Sequence, residues 1–582
     1  MELDKKTLPI VIAIVLALFF FGDIMEFLGV REPVPEGAGL TDSTGQAIDT
    51  AVIYSQSQPI PSGAIETERT DPVVSAPPGD TIPTDTIPLE VDTILIHTNK
   101  FDVVMTTLGG GPVSMILKEY TLRDGSPIDM LPNAKVATPE AVFGGGTYST
   151  ARMNFVSNVL PGEYSVTSSD FTVEYSYTAP NGGTIIRRFV FSPDDYHYDH
   201  IMELVEPDKM GLERRYSLEW NTPLRVTEPQ VEVDYTAMEA VAYMGGSRTS
   251  LDDFEDNKLR QSEDGQTTWA GLRQKYFSAI MIPGTREGTG VKAQGRIYNQ
   301  STPDGLVEAR EITVGLNMDF MGPIVDSFRV FVGPMDYMLM SEYNVELEEM
   351  MDIGTTPVVG ILIKPFAIGV MWLLPKLYDV IPNYGIVILL FALIVKLVTM
   401  PLSAKSFRSM QAMKEIQPKV KELQDKYKKD PAKMQKETMA LYKKHGVSPL
   451  SGCLPILPQM PLFIAMFRVF QSTILLRDAP FVFFITDLSR GASGITDPYI
   501  LLVVVMVVAQ FLSQQLTMPS AGGAQGKMFA YIMPLFMGFI FYSFASGLVL
   551  YWIGFSIFSL LDYVAFKRKT MNEQVKILPA KK

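Results

Sequence analysis

Three patterns of apolar and polar positions divide the chain. Residues 8–22, LPIVIAIVLALFFFG, form an unbroken apolar run behind Lys5 and Lys6. With its flanks the run reaches about 20 residues, enough to cross a hydrocarbon core of about 30 Å. The bulky DIMEFLGV that follows offers no small-x-small cleavage pattern. Residues 1–28 therefore read as a retained anchor rather than a cleaved signal peptide. From 91 to 345 the pattern shortens to bursts such as DTILIHT, FDVVMTT, FTVEYSYTA, TIIRRFVFS, HIMELVE, RYSLEW and VEVDYTA, separated by Gly, Pro, Asn and Asp. Many short strands between frequent turns predict a β-sandwich. Beyond about 357 long apolar runs return, near 358–374, 384–402, 454–475, 499–516, 528–545 and 547–566. Between the anchor and the strands, residues 29–90 are rich in Pro, Thr, Ser, Asp and Gly. They cannot bury enough apolar surface to fold and read as a linker.

Charge changes the span count. Residues 31–357 carry 23 Lys+Arg against 49 Asp+Glu, more than the whole chain's net charge of −14. That acidity makes nucleic acid a poor direct partner. Residues 403–452 carry 12 Lys+Arg against 5 Asp+Glu, and 567–582 carry 6 against 1. By the positive-inside rule both lie in the cytoplasm. With the anchor's N-terminus inside and the strand-rich domain outside, 358–374 and 384–402 cannot both span. The weaker is VVGILIKPFAIGVMWLLPKLYDV, which is interrupted by Lys364, Pro365, Pro375 and Lys376 and carries Trp372. It is assigned to the interface plane within a connecting region 346–381.

The predicted spans are then 382–402, 454–475, 499–517, 528–545 and 546–566. They are joined by a cytoplasmic helical hairpin at 403–453, an external loop at 476–498 and a cytoplasmic loop at 518–527, and a basic tail follows at 567–582. In the hairpin, Phe407, Met410, Met413, Ile416, Val420, Leu423 and Tyr427 recur at helical spacing. KKDPAK makes the turn, and Met434, Leu441 and Tyr442 form a second stripe that a membrane or a partner would cover.

One charge breaks the apolar pattern of the first core span. Lys396, in FALIVKLVTMPLS, lies in its cytoplasmic half. It either snorkels to the headgroups or lines a hydrated cavity, since an intramembrane charge costs about 2.5–3.5 kcal/mol and marks function. No acidic residue lies deep in any span. Asp562 falls near the cytoplasmic end of the last, so Lys396 is expected to have no buried ion-pair partner. Gln459, Gln510, Ser513, Ser556 and Ser559 sit at similar depth and could hydrate a groove. The chain has 32 methionines, several beside the spans, and such side chains suit a pliable binding wall. The single Cys453 rules out an intramolecular disulfide. His197 and His200, the only clustered histidines, read as part of a solvated loop.

At this point the motifs LYKKHGVSPLSGC (441–453), GCLPILPQMPLFIAMF (452–467) and FASGLVLYW (544–552) resemble the YidC family of membrane-protein insertases, and IVKLVTMPLS (394–403) resembles the start of its core. The resemblance implies a multi-domain membrane protein: an α-helical insertase core of five transmembrane helices plus an N-terminal anchor helix, with a periplasmic all-β supersandwich domain. It also implies a hydrophilic groove holding a positive charge, normally arginine, whose position is Lys396 here. Lysine lacks arginine's planar fork. The substrate-contacting slide maps to Met460, Phe463, Phe467, Met533 and Phe536. Tyr551 and Trp552 match the aromatic pair after SGLVL, and Gln459 and Gln510 complete the candidate substrate-binding set.

The expected function is insertion of nascent membrane-protein segments into the bacterial inner membrane, alone or with the Sec translocon. There is no catalytic residue, metal or cofactor. Nascent clients, Sec components and lipids are the expected partners, with the ribosome and the signal recognition particle receptor reached through the hairpin. A transporter or channel is the alternative, and it would want paired deep charges or inverted repeats. A membrane-anchored sugar enzyme would want more than the His197–His200 pair.

Overall fold

The computed structural model describes residues 92–577 apart from 133, 213, 303–304, 354–356, 429, 446–455, 495 and 518–523. The expected anchor (1–28), the linker (29–90), the GVSPLSGC end of the hairpin and most of the 518–527 loop lie outside the described residues.

The strand bursts form two sheets. A five-stranded sheet contains Thr93–His97, Phe101–Thr106, Gly111–Thr121, Pro127–Asp129 and Gly162–Ser165. A fifteen-stranded sheet contains the remaining strands. Its longest member, Lys258–Arg273, pairs with Gly288–Thr302 along its first part and with Phe277–Pro283 along its last four residues. The register shifts between Asp264 and Thr267, shortly before the strand passes to Phe277–Pro283 at Ala270. An extra residue at such a bulge sharpens twist and bend, which lets one large sheet fold over its own core. Alternation is clean in Thr184–Phe191, where Ile185, Arg187, Phe189 and Phe191 point inward.

Two expectations fail here. VEVDYTA is not a strand but a short helix, α1 (Val231–Ala237). Asp234 of α1 is fully buried and accepts from the backbone N–H groups of Thr227 and Glu228, a local closure that strand geometry cannot make. His197 and His200 are not in a loop but on the strand His197–Val205. His200 is buried with its ring stacked on Phe189, and His197 bonds the Tyr343 hydroxyl at 2.8 Å. Both are packing residues.

After the short α2 (Tyr337–Ser341), helix α3 (Pro357–Tyr378) leads into α4 (Tyr384–Lys426), α5 (Pro431–Lys444), α6 (Ile456–Ser472), α7 (Ile500–Thr517), α8 (Ala524–Phe541) and α9 (Ser546–Ile577). The first core span and the first arm of the hairpin are one continuous helix, α4, although the sequence suggested a division at 402/403. Asn383 caps its start by accepting from the Ile386 N–H at 3.1 Å. Gly385 permits the close approach of Phe481, whose ring occupies the space a Cβ would need. Asp430 and Pro431 start α5 as the KKDPAK turn predicts, with Asp430 accepting from Lys433 N–H. Of the hairpin stripe, Phe407, Ile416 and Val420 are buried. Phe407 packs on Tyr563 and Phe566 of α9, so part of the stripe is covered by the chain itself.

Among the described residues, three helices could cross a membrane by length and composition, at Gly360–Tyr378, Tyr384–Met413 and Ser546–Arg568, with shorter apolar helices at Ile500–Gln515 and Tyr531–Phe541. Helix α3 buries one stripe, Ile363, Ala367, Val370, Met371 and Leu374, and exposes Ile361, Leu362, Phe366 and Trp372.

The β-domain is joined to the loop 476–498 by a charged knot. Arg477 donates to Glu228 at 2.7 Å and to the Thr121 carbonyl at 2.9 Å. Arg123 meets Glu228 at 2.9 Å, Asp487 at 2.7 Å and also Asp478. Burial works against the Arg123 charge, but Glu228 and Asp487 outweigh it and hold its pKa above the ordinary arginine value.

Candidate functional site

Lys396 lies on the face of α4 that packs against α9, and it is buried. Its Nζ stands 3.1 Å from Oδ2 of Asp562. This overturns the expectation that Lys396 has no acidic partner. The predicted span 546–566 places Asp562 near its end, whereas α9 runs on to Ile577 and Asp562 sits near the middle of the helix. The packing of α4 on α9, together with the four-carbon stem of lysine, brings the two groups to one level. Both side chains are nearly sealed, at 7% and 8% exposure. Nζ also donates to Ser403 Oγ at 3.3 Å, and Ser403 Oγ in turn donates to the Thr399 carbonyl. The rings of Phe555 and Phe407 lie 5.6 and 6.0 Å from Nζ and offer their faces to the cation. The ion pair is close in distance but poorly aimed, because Oδ2 of Asp562 makes no well-directed hydrogen bond.

The other candidates form a second group. On α9, Tyr551 and Trp552 are successive residues and so point about 100° apart. Tyr551 is buried against Phe391 of α4 and Phe555. Trp552 turns to α7, where its Nε1–H donates to Gln510 Oε1 at 3.0 Å. Phe463 of α6 packs edge-on to Trp552 and stacks with Phe541 of α8. Phe467 packs on Phe544. Helices α6, α7, α8 and α9 thus meet at an aromatic cluster that seals the core on the β-domain side of the ion pair. Elsewhere on α6 and α8 the packing is more open: Met460 is 47% and Phe536 38% exposed, while Gln459 and Met533 are half-buried.

The structure therefore gathers Lys396 with Tyr551 through Phe555, and Phe463 and Phe467 with Trp552 and Gln510. Met533 and Phe536 lie on α8, whereas Lys396 is held between α4 and α9. Asp562, Ser403 and Phe555 are the site residues that the sequence did not single out. Ser403 lies seven residues from Lys396 on α4 itself, about two turns away, whereas Asp562 and Phe555 lie on the facing α9, where Phe555 is one of many aromatics.

Residues 376–574 match the family described as 60Kd inner membrane protein, and residues 93–368 match the YidC periplasmic domain. The membrane protein insertase YidC of Chlorobium luteolum is 32% identical over 488 residues, covering 80% of this chain and 81% of that protein. That of Chlorobaculum parvum is 31% identical over 508 residues, 84% of each. A solved active YidC insertase with its first transmembrane domain resolved aligns over 80% of this chain and 90% of its own at 20% identity, with a TM-score of 0.34. That superposition is loose, and the assignment rests on the sequence relatives. The relatives are insertases rather than enzymes, and they do not favour a transporter or channel. The chain belongs to the YidC family of membrane protein insertases.

Proposed function

We propose that the chain receives a client's short polar outgoing segment at Lys396, within the cytoplasmic half of the bacterial inner membrane. It passes the adjoining apolar segment to lipid along Met460, Phe463, Phe467, Met533 and Phe536, acting alone or with the Sec translocon. The observation that carries this reading is the buried ammonium between α4 and α9, 3.1 Å from its only described acidic neighbour and beside the hydroxyl of Ser403. A charge costs less there if polar groups surround it, and those same groups lower the cost of admitting a client's polar tail. Gln459, Gln510, Tyr551 and Trp552 extend the polar and aromatic lining.

The chain carries no GxxxxGK[ST] phosphate loop, so apolar transfer must drive the step. At about 1.5–3 kcal/mol for each buried large apolar side chain, a whole span outweighs a short polar tail. The basic hairpin faces the cytoplasm and receives the ribosome or the signal recognition particle receptor. The β-domain and the loop 476–498 face the periplasm. The test is reconstitution of the purified chain in liposomes with a small single-span client and no nucleotide. Protease-protected client is the expected result, and no insertion above protein-free liposomes refutes the reading.

A further inference from the structure

We propose that Asp562 is a resident counter-ion that an arriving client carboxylate must displace from Lys396, and that this exchange sets the preference for acidic-tailed clients. The inference rests on the insertase reading and adds a competitor to it. Three observations carry it. The ammonium is not vacant, because Asp562 holds it at 3.1 Å with both side chains nearly sealed. The hold is imperfect, since Oδ2 of Asp562 lacks a well-directed hydrogen bond while Nζ directs one to Ser403. The rings of Phe407 and Phe555 and the Ser403 hydroxyl stay with the ammonium when the carboxylate leaves, so it is never stripped of partners.

The exchange is carboxylate for carboxylate and conserves local charge. A client without an acidic tail gains nothing from it, because opening the pair would strand two buried charges. Exposed Lys567 and Arg568 follow Asp562 by five and six residues on other faces of α9, and α4 carries exposed Lys405 and Arg408, so the membrane boundary beyond the pair is electropositive.

A bound competitor reduces apparent affinity by the fraction of sites it leaves free. If Asp562 occupies Lys396 nine-tenths of the time, removing its charge raises the apparent affinity for an acidic tail about tenfold. The experiment uses the full chain in liposomes with two clients that differ only in an aspartate-bearing or asparagine-bearing outgoing tail. Asp562→Asn and Asp562→Ser each keep an acceptor for Nζ, so a folding defect in one does not remove the test. Both should raise the ratio of acidic-tail to neutral-tail insertion at limiting client severalfold, and Asp562→Glu should restore the wild-type ratio. An unchanged or lowered ratio in the folded neutral variants overturns the proposal. Failure of the wild type to insert either client would instead refute the insertase reading, and the two results are distinguishable.

Discussion

Replacing Lys396 alone removes one charge and leaves another behind. Without the ammonium, the Asp562 carboxylate is stranded at 8% exposure. Breaking a buried pair by removing one partner costs about 3–5 kcal/mol, whereas removing both members is often near neutral. Lys396→Ala is therefore expected to lower the unfolding temperature and to lose insertion of acidic-tail and neutral-tail clients alike. Lys396→Met combined with Asp562→Leu should recover the fold and the neutral-tail client, but not the acidic preference. Lys396→Arg should retain activity, because the charge persists. Thermal unfolding in detergent and insertion in liposomes, measured on the same preparations, separate these outcomes. If the single alanine variant proves as stable as the double, the pair carries no stability and the defect belongs to client capture alone. Lys396 was legible because a lone lysine contradicts its apolar surroundings. Asp562 was not legible as its partner. Depth counted along one helix says nothing about which helix it faces or how far a lysine stem reaches. The bond from Trp552 to Gln510 was equally out of reach: the two residues could be named as candidates, but not as partners.

At the scale of elements, α3 is the ambiguous helix. Its composition allows a span, yet the charge distribution permits only one crossing among α3 and α4 if the basic hairpin is cytoplasmic. We propose that α3 lies in the interface plane. Asp352, just before α3, meets Arg468 of α6 at 3.7 Å. Met371 and Pro375, far along α3, share a crevice with Thr473 and Leu475 at the end of α6. From Pro357 to Pro375 the helix advances about 27 Å at 1.5 Å per residue. Both contacts bring this region to the C-terminal end of α6, and labelling decides between a helix laid across the interface and one that spans. A cysteine at Asp379, with Cys453 replaced, should react with an impermeant maleimide from the periplasmic side, and one at Lys428 from the cytoplasm. Cytoplasmic reaction at Asp379 would overturn the placement. The hairpin gives a second expectation. Lys419, Lys421, Lys426 and Lys428 are exposed, while Ile416 and Val420 are buried beneath them. Reversing the four lysine charges should weaken client delivery while leaving the fold intact. The defect should change with ionic strength, because exposed charges are screened over about 10 Å at 0.1 M salt. A defect independent of salt, measured as ribosome-delivered insertion, would place the damage in the buried stripe instead.

For the whole molecule, the alternating bursts made the strands legible one by one, but not the knot that holds the β-domain to the core. Arg123, Glu228, Arg477 and Asp487 come from distant stretches, and each alone reads as an ordinary surface charge. Their assembly leads to a contrast between two ways of disturbing the interface. Arg477→Ala leaves the buried Glu228 and Asp487 with Arg123 alone, while Asp478 remains open to water. Deleting 91–330 removes Arg123 and Glu228 together and opens the remaining Arg477 and Asp487 to solvent, where hydration replaces the lost partners at small cost. The point substitution should therefore loosen the join, seen as faster proteolytic release of the β-domain. The large deletion should leave a stable core that still inserts clients in liposomes, because Lys396, Asp562 and the aromatic cluster are all built from residues beyond 355. A stably purified deletion that inserts nothing would show that the β-domain contributes to the insertion step itself. Insertion by the deletion together with unchanged release from Arg477→Ala would show that the join rests on the apolar contacts around the knot rather than on its charges.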